Sequence, residues 1–83
     1  MGVVNHAKHK KTAKILASLL KKARESRKLS MNRLAEASGL SQQMVSYVER
    51  NMRNPSLDTL LRLSSALEIN LGKLISKAVS KSE

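Results

Sequence analysis

The chain has 83 residues, a length that suits one small domain. It carries 16 lysine and arginine residues against 6 aspartate and glutamate residues, so its net charge is +10, and it has no cysteine. The lack of cysteine excludes disulfides and thiolate zinc sites, and the lack of any apolar run of about 18 residues excludes a membrane span. The first residues contain no apolar stretch of signal-peptide length, so we expect a soluble, cytoplasmic chain.

The positive charge is concentrated at the start of the chain. Residues 1–28 contain nine lysine and arginine residues, and Glu25 is their one acidic residue. This excess favours a polyanionic partner, either a nucleic acid or an anionic membrane surface, and charge alone does not distinguish the two. Residues 1–11 show no apolar periodicity, so we interpret them as a flexible basic arm that precedes a domain spanning residues 12–81.

Helical periodicity accounts for the first half of that domain. A first helix is predicted from about Thr12, a possible N-cap, to Arg27. Its apolar stripe consists of Ile15, Leu16, Leu19, Leu20 and Ala23. Two short helices follow, the first capped by Ser30 and ended by Gly39, and the second capped by Ser41.

The second half contains a loop and two more predicted helices. Residues 51–56 are predicted to form the loop, because Pro55 disfavours helix at the residue before it. Ser56 is the expected cap of the fourth helix and Asn70 of the fifth. The apolar stripe of the fourth helix is Leu57, Leu60, Leu61, Ser64 and Leu67. No strand-like alternation persists, so the prediction is an all-α fold with five short helices.

The segment Met31–Arg50 has the spacing of a helix-turn-helix, in which two short helices meet at a sharp angle. Ala35 is small where the second helix is expected to cross the first, and Gly39 permits a positive φ in the turn between them. Four apolar side chains are expected to face inward and fix the crossing angle: Leu34, Leu40, Val45 and Val48.

Four segments of the chain carry a family resemblance: Leu34–Glu36, Gly39–Ser41, Val45–Glu49 and Arg53–Leu60. Through them, residues 15–75 resemble the lambda repressor/Cro class of helix-turn-helix DNA-binding domains, the xenobiotic response element family. The chain is also similar to small phage-type repressors and to the controller proteins of restriction–modification systems. The resemblance implies a compact five-helix bundle of the lambda repressor-like type. It also implies a regulator of transcription that binds a palindromic operator in double-stranded DNA as a homodimer. No catalytic arrangement is visible in the sequence, so neither an enzymatic activity nor a cofactor is expected.

The family's docking mode implies two sets of DNA contacts. The second helix of the motif enters the major groove, and the base contacts this implies are Gln42, Gln43, Ser46 and Tyr47. Met44 lies among them and either contacts a thymine methyl group or packs inside its own domain. The phosphate contacts that the resemblance implies are Ser41, Asn32, Arg33, Arg50, Asn51, Arg53 and Asn54. Met31 stands where the family often has a glutamine that contacts phosphate.

Two further features concern the scaffold. The resemblance implies a partly buried ion pair between Arg24 and Glu49, and Glu68 stands at a link where the family commonly has a left-handed glycine. A non-glycine residue costs about 1 kcal/mol in that conformation. The fifth helix is amphipathic, and we expect the C-terminal half of its apolar face to form a dimer patch. The residues of this patch are Leu71, Leu74, Ile75, Ala78 and Val79.

Several alternatives remain open at this point. An antitoxin-like or adaptor protein could use the same apolar face to bind a partner protein. Binding to a membrane surface through the basic first helix is the weaker alternative, because the core needs the apolar stripe of that helix. The lysines of that helix, Lys14 among them, form a solvated face or reach phosphates. His6 and His9 have no carboxylate or cysteine nearby, so no metal site is expected.

Overall fold

The computed structural model describes residues 6–83, with side chains from Lys8 onward. These residues form five helices and no strand: α1 (His6–Ser26), α2 (Met31–Ser38), α3 (Gln42–Glu49), α4 (Leu57–Ala66) and α5 (Leu71–Ser82). None of the five is both long enough and apolar enough to cross a bilayer. The predicted all-α class with five helices is confirmed for this part of the chain, and residues 1–5 of the predicted arm lie outside the described residues.

The first helix begins at His6, six residues before the predicted start. Residues 6–11 contain no proline or glycine that would prevent a helix, and they continue the α1 turns towards the amino end. Thr12 is therefore an interior residue and not an N-cap. Its hydroxyl lies 2.9 Å from the carbonyl oxygen of Lys8 and 2.8 Å from Oγ of Ser82, near the end of α5. The added turns of α1 are stabilised by packing against α5, and the local sequence alone does not predict this contact.

Four helices begin at the capping residues that the sequence predicts. Ser30, Ser41, Ser56 and Asn70 each adopt an extended backbone conformation, and each side-chain oxygen accepts a hydrogen bond from a backbone N–H three residues later. This geometry satisfies one of the donors that a helix leaves unpaired at its amino end. The starts of α2 to α5 are thus set by interactions within single turns.

Four helix ends share one geometry, the Schellman motif. After each of α1 to α4, one residue has a positive φ of 54–71°, and the next residue donates its N–H to a carbonyl five residues back. The left-handed residues are Lys28, Gly39, Asn51 and Glu68. After three of these motifs an apolar residue packs on the core, whereas Met52, after α3, is 59% exposed. The turn that follows α3 therefore lies outside the core.

The core joins the first four helices. Its largest fully buried side chains are Leu34 of α2, Val45 of α3 and Leu63 of α4, together with Leu67 directly after α4. Leu20 of α1, Ala35 of α2 and Val48 of α3 complete this cluster. Leu40, in the turn between α2 and α3, packs against it. The inward positions predicted for the helix-turn-helix are thus core positions or pack against the core, and they hold α3 at a fixed tilt on α2.

The buried face of α4 differs from the predicted stripe. The sequence pattern places Leu57 and Leu61 on the inward stripe, but they are 65% and 50% exposed, whereas Thr59 and Leu63 are buried. The helix has more apolar residues than one face can bury, so two overlapping stripes are possible from periodicity alone. Packing of α4 on α2 selects the face that includes Leu63.

Arg24 of α1 and Glu49 of α3 form a buried ion pair, and each residue is 8% exposed. Arg24 donates from Nε to Oε2 of Glu49 at 2.6 Å and from Nη2 to Oε1 at 3.1 Å. It also donates from Nη1 to the backbone carbonyl of Leu29 at 2.7 Å. The hydrogen bonds with Glu49 raise the pKa of the Arg24 guanidinium, although burial acts in the opposite direction. The pair joins the end of α1, the turn after it and the end of α3.

The substitution Glu49→Leu is expected to destabilise the fold strongly, because it leaves the Arg24 charge buried without a partner. The expected loss is about 3–5 kcal/mol in the free energy of unfolding, measured by urea denaturation. The control is Arg27→Ala, which breaks the exposed pair between Arg27 and Glu68 and should cost less than about 1 kcal/mol. A Glu49→Leu variant that is unfolded without urea also meets the expectation, whereas a loss no larger than that of the control contradicts it.

Candidate nucleic-acid interface

The outer face of α3 is polar, and no other described element covers it. Gln42 and Gln43 are exposed in the first turn, whereas Val45 and Val48 are buried on the opposite side of the helix. The side chain of Ser41 caps the helix by accepting from the N–H of Met44 at 3.0 Å. Burial of the inner face therefore presents two glutamine amides to solvent at the amino end of an eight-residue helix.

Tyr47 links the glutamines to the arginines that follow α3. Gln43 donates from Nε2 to the Tyr47 hydroxyl at 2.5 Å. The guanidinium carbons of Arg50 and Arg53 lie 5.9 and 4.8 Å from the centre of the tyrosine ring, within the range of cation–π contacts. Tyr47 and Ser46 are half-buried, so they are less accessible than the two glutamines. The tyrosine thus holds three polar side chains along one side of α3.

Met44 belongs to the interior of the domain. Its side chain is half-buried and packs against the core cluster. Of the two alternatives for this residue, the structure shows packing inside its own domain.

The turn after α3 exposes the predicted phosphate-contact residues Arg50, Asn51, Arg53 and Asn54. Asn51 has a φ of 54°, and its N–H donates to the carbonyl of Val48. The N–H of the next residue donates to the carbonyl of Tyr47 at 2.9 Å. These bonds reverse the chain at the end of α3 and leave the arginine and asparagine side chains on the outside.

The start of α2 provides the remaining predicted phosphate contacts. Asn32 and Arg33 are exposed, and the side-chain amide of Asn32 donates to a carboxylate oxygen of Glu36 at 3.3 Å. Met31 is half-buried and packs against the core, as an apolar residue should at this position. Arg33 is therefore the cation at this end of α2, and Asn32 already has a partner.

The predicted dimer patch on α5 is only partly a surface. Ala78 is fully buried, so it belongs to the interior, and its assignment to the patch is wrong. The reason is that the long α1 packs along α5 and covers this side of it. Val79 is 40% exposed, and the other three residues of the patch are half-buried. Sequence reasoning missed Leu57 and Leu61 of α4, which are the more exposed apolar side chains.

Groups that could hold a metal are not clustered in the part of the chain with described side chains, where no three His, Asp or Glu residues lie together. His9 is exposed there, whereas the side chain of His6 lies outside the described residues. Apart from the carboxylate of Glu36, which accepts from Asn32, the exposed polar groups of α2 and α3 are amides and a guanidinium group. Such groups donate and accept hydrogen bonds and attract anions, which suits binding to a polyanion.

Comparison with known proteins identifies the family. Residues 20–74 match the helix-turn-helix family model HTH_3. The chain is 38% identical over 64 residues to the HTH-type transcriptional regulator SutR of Escherichia coli, covering 77% of this chain and 36% of that protein. It spans less than half the length of the first curated relatives that it matches.

Two of the solved structures that share the fold are similar in sequence as well. The restriction–modification controller protein C.AhdI from Aeromonas hydrophila is 38% identical, with a TM-score of 0.70, and the match covers 76% of this chain and 94% of that one. The regulator SinR, known from Bacillus subtilis and solved in complex with DNA, is 30% identical, with a TM-score of 0.67 and coverage of 71% and 95%. Since the family model covers most of the described helices, the chain belongs to the XRE-type helix-turn-helix family HTH_3, a class of DNA-binding domains and not of enzymes.

Proposed function

We propose that the protein is a sequence-specific regulator of transcription that binds double-stranded DNA as a homodimer. The observation that carries the proposal is the position of α3, whose inner face is buried while its glutamines are exposed and flanked by arginines. A helix presented in this way fits the major groove, with its amino end towards the base edges. The similarity to SinR, which was solved bound to DNA, supports this choice of partner.

Base recognition is assigned to the first two turns of α3. A glutamine recognises adenine by accepting from N6 and donating to N7. In Gln43, one amide hydrogen is directed at Tyr47, which leaves Oε1 and the second hydrogen for a base. Tyr47 thus orients the side-chain amide of Gln43 and also lies near the major groove. Gln42 and Ser46 are the neighbouring candidates for base contacts.

Phosphate contacts are assigned to residues on both sides of α3. The capped amino end of α3 at Ser41 directs backbone N–H groups outward, and Arg33 lies at the start of α2 with Asn32 beside it. On the other side, the turn after α3 supplies Arg50, Asn51, Arg53 and Asn54. Guanidinium groups suit this task because their planar fork matches phosphate oxygens. Contacts of this kind carry no sequence information, but they set the register of the protein on the duplex.

Dimerisation is assigned to a surface formed by α4 and α5. Leu57 and Leu61 lie four residues apart on α4 and are at least half exposed, although leucine is usually buried. On α5, Val79 is exposed and Leu71, Leu74 and Ile75 are half-buried. A second copy of the chain is the occupant that function requires, because a palindromic operator needs two recognition helices related by two-fold symmetry. A heterologous protein on the same leucines is the alternative, and it corresponds to an adaptor or antitoxin-like function.

The function is tested by selecting DNA ligands from a pool of random duplexes and footprinting the selected sequences. We expect enrichment of an inverted repeat whose half-sites lie about one helical turn apart. The DNA upstream of the protein's own gene is then footprinted for the same repeat. Recovery of no preferred sequence, or of single half-sites only, would count against sequence-specific binding by a dimer.

The variant Gln43→Ala is expected to lose discrimination at one or two base pairs of each half-site, because the adenine-reading amide is removed. The expected loss is about 1–3 kcal/mol per contacted base pair, measured by anisotropy titration of the selected site and its single-base variants. Ser26→Ala, at an exposed position at the end of α1 with no assigned contact, serves as the control and should leave the base preferences unchanged. Equal weakening on every duplex would remove Gln43 from base reading.

The variant Leu61→Glu is expected to be monomeric at concentrations where the wild-type chain is a dimer, because it places a carboxylate in the apolar contact. Sedimentation equilibrium gives the mass of each form. Met52→Gln changes another exposed apolar side chain, which lies in the turn after α3 and outside the proposed interface, and should remain dimeric. A monomeric wild-type chain, or a dimeric Leu61→Glu variant, would contradict this assignment of the interface.

A further inference from the structure

Three lysines and a serine form one stripe along α1. Lys10, Lys14, Ser18 and Lys21 are spaced by four, four and three residues, which places them on one side of a helix, and all four are exposed. Along the helix axis the stripe extends over about 16 Å, at 1.5 Å per residue. It lies outside the helix-turn-helix motif, and the proposed function does not use it.

The stripe lies directly beside the turn that follows α3. One groove is lined by Lys14, Ser18 and Lys21 from α1 and by residues 49–51 from the end of α3. A second groove is lined by Lys10 and Ala13 from α1 and by residues 51–54. Because Asn51 lines both, the two grooves are neighbours. The wall opposite the lysines consists mainly of residues assigned to phosphate contacts.

The charge of these grooves is strongly positive. Their one acidic side chain is Glu49, and both of its carboxylate oxygens bind Arg24, so it does not neutralise the lysines. A second carboxylate near the lysines is that of Glu25, which belongs to α1 and lies one turn beyond Lys21. Within the part of the chain that has described side chains, neither Lys14 nor Lys21 forms an ion pair, in contrast to the exposed cations Arg27 and Arg62.

We infer that Lys10, Lys14 and Lys21 of α1 form a second phosphate-binding surface, which extends contact with the DNA backbone beyond the helix-turn-helix motif. Each DNA strand carries one phosphate per about 3.4 Å of helix axis, so a stripe of this length matches several phosphates. The inference rests on the proposed function, because it takes the same duplex as the partner. It adds contacts from a different helix to those of the motif.

A DNA backbone fits this surface better than a lipid bilayer does. An amphipathic helix binds a bilayer by inserting its apolar face between the lipids. In α1 that face is occupied, because Ala17, Leu19 and Leu20 are buried in the domain. What remains accessible is a row of ammonium groups next to the guanidinium groups of Arg50 and Arg53, which is the arrangement that a phosphate chain can span.

The test compares the salt dependence of binding for two double variants of equal charge. Lys14→Gln with Lys21→Gln removes two charges from the stripe. Lys11→Gln with Lys22→Gln removes two exposed charges from the same helix that line neither groove. Arg53→Gln reports on the proposed phosphate contact after α3. Binding of each protein to one synthetic mixed-sequence duplex is measured by anisotropy over a range of salt concentrations.

The slope of log K against log salt should fall by about 0.9 for each phosphate contact that is lost. We expect a decrease of about 1.8 per protomer for Lys14→Gln with Lys21→Gln, and less than half of that for the control pair. An unchanged slope for the stripe variant, or equal decreases for both pairs, overturns the inference. If the stripe variant leaves the slope unchanged but Arg53→Gln lowers it, the proposed function stands and only the inference about α1 fails.

Two other outcomes distinguish failure of this inference from failure of the proposed function. A wild-type chain that binds no duplex at any salt concentration refutes the proposed function and the inference together. Vesicles that contain phosphatidylserine provide the second probe. The inference is overturned if the wild-type chain binds these vesicles, the stripe variant does not, and the two bind the duplex equally. That result assigns the lysines to a membrane surface.

Discussion

The structure depends on the burial of the inner face of α3. Val45 and Val48 lie in the core together with residues of α1, α2 and α4, and the orientation of this short helix is decided chiefly by its packing on α2 and α1. A helix of eight residues is too short to be stable alone in water, and its tertiary contacts must hold it. Once the inner face is buried, the glutamines of the first turn have only one direction available, which is outward.

The ends of α3 are held by different means. At its amino end, a local serine cap acts within one turn. At its carboxyl end, Glu49 is bound to Arg24, and that arginine also binds the turn after α1. A buried ion pair contributes little net stability, because both ions must be desolvated, but it tolerates few alternative geometries. The pair therefore acts chiefly as a positional constraint on α3 and on the arginines that follow it.

Helix α1 connects features that are far apart in the chain. One side packs along α5, another contributes Leu20 to the core, and a third carries the lysine stripe beside the turn after α3. Its length decides two properties of the surface. The added amino-terminal turns lie beside Val79 near the end of α5, and they bring Lys10 next to the turn at residues 51–54.

Features that arise within one helical turn follow from local sequence alone. Ser30, Ser41, Ser56 and Asn70 begin helices because each bonds to a backbone N–H three residues away, and Gly39 ends one because it accepts a positive φ. The inward positions of the helix-turn-helix follow equally from short-range spacing. These are also the features from which the outward direction of Gln42 and Gln43 could be anticipated.

Packing between helices selects which of two apolar stripes α4 buries, where α1 begins and which part of α5 stays exposed. Leu57, Leu61 and Leu63 have similar affinities for the core, so periodicity cannot choose among them, and the neighbouring helix makes the selection. The start of α1 is supported by contacts such as that of Thr12 with Ser82, 70 residues later. Local patterns carry no information about such distant partners, because burial is a property of the assembled helices.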